Sequence, residues 1–249
     1  MKNRTIFIAI LGAAIFTMQS CSYGDAAFEY SADSGTGGSM ARFTVVNDQL
    51  FTVDQGNLKV FDIASAELPE YKLTKHVGGG VETIFPLGNK LFLGTSSGMH
   101  IFDINTEGTP SPVSFYEHVI ACDPVVSDGE YAYVTLSTVR EMCWRAVNEL
   151  HIIDLQNIET PLLIKRYPMS NPRGLAVRND TLWVCDSGIK IFNVSDKENI
   201  EQLYHFDDVP AYDIILDNNR ALVIGESGFI QYKFENDTIQ KLSEIIVEN

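Results

Sequence analysis

One short pattern returns five times along this chain, and it constrains the fold more than any other feature. Gly56-Asn-Leu-Lys-Val-Phe-Asp-Ile63 is echoed by Gly98-Met-His-Ile-Phe-Asp-Ile104, Glu149-Leu-His-Ile-Ile-Asp-Leu155, Gly188-Ile-Lys-Ile-Phe-Asn-Val194 and Gly228-Phe-Ile-Gln-Tyr-Lys-Phe234. The aligned positions Asp62, Asp103, Asp154, Asn193 and Lys233 lie 41, 51, 39 and 40 residues apart. A second β-rich stretch precedes each echo, as in Leu50–Val53 and Leu182–Cys185. A third lies before that, as in Phe43–Val46 and Ile214–Leu216, and a fourth follows, as in Tyr71–Thr74 and Gln202–Phe206. These stretches are short and rich in β-branched and aromatic residues. Turn signals such as Asn47-Asp-Gln49, Gly88-Asn89 and Asn218-Asn219 separate them. Four short strands recurring about every 40 residues mark propeller blades. The expected fold is all-β, a β-propeller of five four-stranded blades over residues 40–249. A six-bladed ring with a degenerate or borrowed blade satisfies the same pattern.

Ahead of the repeats the chain changes character. Met1-Lys-Asn-Arg4 is basic, residues 6–16 form an uncharged apolar run, and Met18-Gln-Ser-Cys21 ends it with a small residue directly before cysteine. That order reads as a secretory signal over 1–20 with a lipoprotein-type cleavage site. The run is too short for a spanning helix, which needs about 20 apolar residues. The mature chain is then expected to begin at Cys21, carrying lipid on its sulfur and amine. Residues 21–39 are small and polar and read as a flexible tether. The partner implied is a membrane, gripped through this lipid, with the protein in the cell envelope on the outer membrane.

The formal charge is -15, and removing residues 1–20 takes away Lys2 and Arg4 but no acid. A chain this acidic cannot neutralise a phosphate backbone, which argues against nucleic acid, and it lacks the basic patch that grips anionic lipid. With Cys21 lipidated, Cys122, Cys143 and Cys185 remain in an oxidising compartment, an odd number.

The strand echoes, Leu150-His-Ile-Ile-Asp-Leu155 above all, resemble the LVIVD repeat of bacterial and archaeal surface proteins. Cys122-Asp-Pro-Val-Val126, Tyr131-Ala-Tyr-Val-Thr-Leu136, Asn171-Pro-Arg-Gly-Leu175 and Leu182-Trp-Val-Cys-Asp186 are similar to a group of LVIVD-repeat lipoproteins of Gram-negative gut bacteria. The resemblance spans residues 40–235 and implies a propeller exposed outside the cytoplasm. It implies no reaction, because fold carries no chemistry by itself.

In a propeller with strand order a-b-c-d, the d-to-a and b-to-c connections share one face. The 51-residue spacing puts an insertion there, residues 137–148 of blade three, holding Trp144 between Arg140 and Arg145. Trp and Arg favour binding hot spots, although Trp144 could equally fold back as a lid. Cys122 and Cys143 fall on the same face and are expected to form a disulfide. Closing a loop of about 20 residues would stabilise by about 3 kcal/mol. Cys185 reads as a small buried apolar residue. The starts of the a strands bring Arg42, Glu82, Asp123, Arg173 and Asp213 to the channel mouth, one charge per blade. A salt-bridged ring that closes the channel is the favoured reading, with a polar or zwitterionic ligand second. The Asp62, Asp103, Asp154 series reads as a turn device. No phosphate loop, nucleophile elbow or metal-ligand spacing is present, so neither cofactor nor metal is expected.

Two functions follow as expectations. The first is a membrane-anchored binding module whose face of residues 140–148 and channel mouth holds a glycan, a peptide or an envelope protein. The alternative is a channel-mouth hydrolase or lyase on an extracellular substrate, with Asp123 and Asp213 as acid and base and Arg42 and Arg173 holding a carboxylate.

Overall fold

The computed structural model describes residues 37–118, 124–137, 147–226, 228–235 and 238–247. These build a β-propeller of five four-stranded antiparallel blades, each formed from consecutive strands. Blade one holds β1 (Phe43–Val46), β2 (Gln49–Asp54), β3 (Asn57–Asp62) and β4 (Glu70–His76). Blade two holds β5 (Val81–Leu87), β6 (Lys90–Thr95), β7 (Gly98–Ile104) and β8 (Pro110–Glu117). Blade three holds β9 (Val125–Ser127), β10 (Tyr131–Leu136), β11 (Glu149–Asp154) and β12 (Leu162–Pro168). Blade four holds β13 (Pro172–Arg178), β14 (Thr181–Asp186), β15 (Ile189–Asn193) and β16 (Glu201–Phe206). Blade five holds β17 (Asp213–Asp217), β18 (Arg220–Gly225), β19 (Gly228–Glu235) and β20 (Thr238–Ile246).

The five echoes are the third strands, β3, β7, β11, β15 and β19, as the repeat predicts. Their aligned polar residues close the next turn. Asp62 Oδ1 accepts from the Ala64 N–H, Asp154 Oδ1 from Gln156 and Asn193 Oδ1 from Ser195, at 3.0, 2.7 and 2.9 Å. This is the local Asx geometry that aspartate and asparagine favour.

The core lies between blades. Position three of each second strand points toward the next blade and carries Phe51, Phe92, Tyr133 and Trp183 in blades one to four, all buried. Phe51 joins Ile84 and Leu93 between blades one and two, and Phe92 joins Val125 and Val134 between two and three. Tyr133 meets Leu175 and Val184, and Trp183 meets Ile214 and Val223. Blades two to four therefore bury both faces, and Leu91–Thr95 of β6 and Leu182–Asp186 of β14 are buried without a break. This explains why those strands read as continuous apolar runs and not as alternating ones.

Between blades five and one the arrangement differs. No buried apolar cluster joins them among the described residues, and the inner strands β17 and β1 lack the side-by-side contact made by the other neighbouring inner strands. Phe43 is 64% exposed, whereas Ile84, Leu175 and Ile214 at the same blade position are 0%, 0% and 1% exposed. Each buried equivalent gains about 1.5–3 kcal/mol that Phe43 forgoes.

The lead-in to β1 bridges the centre instead. Ser39 is buried, and its hydroxyl donates to Asp213 Oδ1 at 2.8 Å while accepting from the Leu175 N–H at 2.8 Å. The Met40 N–H donates to Asp213 Oδ2 at 3.1 Å, and Ala41 O accepts from the Ile84 N–H at 2.9 Å. Three consecutive residues, Ser39 to Ala41, thus touch blades two, four and five. Any side chain at Gly38 or Gly174 would collide with the Asp213 carboxylate, so glycine at both positions permits this approach.

Candidate functional site

The insertion in blade three leaves β10 at Leu136 and rejoins at Glu149, and these two residues pair directly across the strands. Cys122, Asp123, Arg140, Cys143, Trp144 and Arg145 lie outside the described residues, as does Cys21. The start of β11, where the insertion rejoins, is described and carries polar side chains. His151 on β11 is only 1% exposed. Its Nε2 is 2.8 Å from Glu149 Oε2, and its Nδ1 is 3.2 Å from Tyr116 Oη on β8 of blade two. A carboxylate can only accept, so Nε2 carries the proton, and Nδ1 accepts from the Tyr116 hydroxyl. The ring of His118 stands edge-on to that of His151, with centroids 6.3 Å apart. Arg166 on β12 lies opposite His151 in register, and Val147, Glu149, His151 and Arg166 line a cavity of about 60 Å³.

Burial holds the His151 imidazole below its ordinary value of 6.5, and the Glu149 carboxylate opposes this only in part. The neutral ring is therefore the resting form. A group whose folded value is depressed contributes stability above the ordinary value and loses it as pH falls toward the folded value. Unfolding free energy is expected to begin falling below about pH 6.5, and a His151→Gln variant should flatten that part of the profile in denaturant titrations.

The channel-mouth charges are dispersed among separate tasks. Arg42 is exposed and Glu82 is half-buried. The guanidinium of Arg173 lies over the Tyr212 ring, 4.2 Å from its centroid, a cation–π contact. Asp213 is taken up by Ser39 and Met40. Burial raises its carboxyl above the ordinary 3.8, and the hydrogen bonds from Ser39 and Met40 pull the other way. Cys185 is a free, buried thiol, pushed well up by the same burial and by the nearby Asp213 carboxylate. Among the described residues no cluster of three His, Cys, Asp or Glu is arranged to hold a metal ion.

Sequence reasoning missed the Tyr116–His151–Glu149 chain. The partner that completes the chain, Tyr116, comes from the neighbouring blade, 35 residues away in sequence. A usable signal existed: a glutamate and a histidine two residues apart on one strand share a face.

No family model matches the chain, and no curated protein sequence matches it. Solved structures resemble it in fold. A protein from Lactobacillus plantarum superposes with a TM-score of 0.61 at 14% identity, covering 80% of this chain and 72% of its own. The periplasmic gluconolactonase PpgL of Pseudomonas aeruginosa superposes at 0.62 with 12% identity, covering 80% and 68%. BamB from Moraxella catarrhalis superposes at 0.55 with 13% identity, covering 83% and 63%. Likeness at these identities shows the propeller and nothing of the chemistry.

Proposed function

We propose that this chain is a lipid-anchored binding propeller of the LVIVD type, held in the cell envelope through Cys21, whose contact face is the blade-three insertion and the adjoining channel mouth. The observation that carries this reading is the buried hydrogen-bonded chain Glu149–His151–Tyr116, which ties the start of β11, where the insertion rejoins, to two blades at once. Rigid support beneath a long loop is what a recognition surface requires. The insertion carries Trp144, Arg140 and Arg145, residue types that dominate binding energy at interfaces. An envelope protein, a peptide or a glycan fits such a surface.

The channel-mouth hydrolase is the weaker reading. It requires two carboxylates open to substrate, and Asp213 is engaged by the lead-in segment. Crosslinking in intact cells, with capture through a C-terminal tag, tests the binding reading. The expected result is one dominant crosslinked species that disappears in Trp144→Ala, while Tm stays within a few degrees of wild type. A partner that persists in Trp144→Ala would remove the insertion from the interface, and release of the Cys21→Ser variant from membranes should accompany loss of capture.

A further inference from the structure

The opposite side of the ring holds a second cavity, between blades four and five on the face of the a-to-b turns, with a volume of about 150 Å³. Its floor is aromatic. Trp183 and Phe234 meet edge to face with centroids 5.1 Å apart, and Tyr204 packs on Phe234 at 5.6 Å. Trp183 is 5% exposed and lines the cavity with its indole ring. An aromatic floor of this kind offers a flat apolar face on which a ring can lie.

The repeat explains why the cavity exists here. Tyr131 and Thr181 occupy the same position of their blades, each paired with the third-strand Asx residue, Asp154 or Asn193. Between blades three and four the Tyr131 ring takes up this space, with Lys197 Nζ 4.7 Å above it. Between blades four and five the smaller Thr181 leaves it open.

The rim is basic and amide-rich in a chain of net charge -15. Arg178 reaches it from blade four and has no carboxylate partner among the described residues. Arg220 reaches it from blade five and pairs with Asp217 at the exposed surface. Such a pair is worth about 0–1 kcal/mol and exchanges readily. Asn219 adds a side-chain amide. An apolar floor accepts the C–H face of a ring, an arginine fork matches a carboxylate, and amides serve hydroxyls.

We propose that this cavity binds a single uronic acid unit, its ring on the Trp183–Phe234 floor and its carboxylate at Arg178 and Arg220. The site lies away from the insertion and stands independently of the function proposed above.

Calorimetric titration and saturation-transfer NMR of the purified full-length chain with glucuronate test it. Saturable binding is expected, at least tenfold weaker for neutral methyl glucoside. Thr181→Tyr, which copies the blade-three residue, should abolish binding without lowering Tm. Arg178→Ala should erase the preference for the acid over the neutral sugar, and it serves if Thr181→Tyr folds poorly. Tighter binding of an oligouronide than of the monomer would assign the unit to a polymer, and equal binding to a free sugar acid. Absence of saturable glucuronate binding, or undiminished binding by a folded Thr181→Tyr protein, overturns the proposal.

Discussion

Replacing Asp186 with alanine is expected to destabilise the protein by about 3–5 kcal/mol and to lower Tm by about 10 °C, read by urea unfolding and by a thermal scan. Asp186 ends β14 and is completely buried. Its carboxylate accepts from the backbone N–H of Ser170 at 3.1 Å and of Asn171 at 2.5 Å, and from Lys190 Nζ at 2.6 Å. The Lys190 side chain is 15% exposed. The alanine variant would leave two backbone donors without their acceptor and one ammonium largely enclosed without its counter-charge. Orphaned buried donors cost about 1–3 kcal/mol each, and an enclosed charge costs more. Removing both charges in Asp186→Ala, Lys190→Met should therefore recover part of the loss, because only the backbone donors then stay unmatched. A double variant no more stable than the single would mean that Lys190 reaches water once released. Asp186→Asn keeps one acceptor oxygen and should fall between wild type and alanine.

This carboxylate sits where the chain enters blade four, and it shows what the sequence could and could not carry. The blade pattern is local. Each strand announces itself by its own β-branched and aromatic residues, and the aligned Asp62, Asp154 and Asn193 report their turns because an Asx side chain bonds two residues along. Strand number, blade boundaries and the position of the insertion were legible for that reason. The channel charges were legible as positions but not as interactions. Arg173 could have paired with an acid across the mouth, yet its guanidinium stacks on Tyr212, the residue that leads into the first strand of the next blade. The cavity between blades four and five was invisible because it is defined by a missing volume, threonine at a position where another blade has tyrosine. The seam between blades five and one was equally hidden. Nothing in Phe43 distinguishes it from Ile84, whose burial depends on a neighbour that the local pattern does not name.

Ring closure gives the second large effect. Asp213→Ala should cost about 3 kcal/mol or more, since hydrogen bonds to charged groups contribute about 1.5–3 kcal/mol each and Asp213 accepts one from Ser39 and one from Met40. The two partners are 174 and 173 residues away in sequence, so these bonds tie the lead-in to the first inner strand to the last blade, where among the described residues no buried apolar cluster does. Ser39→Ala should lose part of the same stability and show strong coupling to Asp213→Ala in a double-mutant cycle. Additive losses would mean that Ser39 serves Leu175 alone. The pH dependence separates closure from simple loss of a side chain. Burial raises the Asp213 carboxyl above 3.8, so the folded state holds this proton more tightly than the unfolded chain does. The resulting stability is fully present below the unfolded value and is lost as pH rises through the folded one. Relative to Asp213→Asn, which cannot titrate, the wild-type protein should lose stability as pH rises from about 4 through the raised value and then level off. The hydrogen bonds from Ser39 and Met40 hold the charged form in place and limit the size of that loss. Removing Ser39 should therefore raise the Asp213 value further and extend the pH window upward, whereas a seam closed mainly by packing would leave the window unmoved.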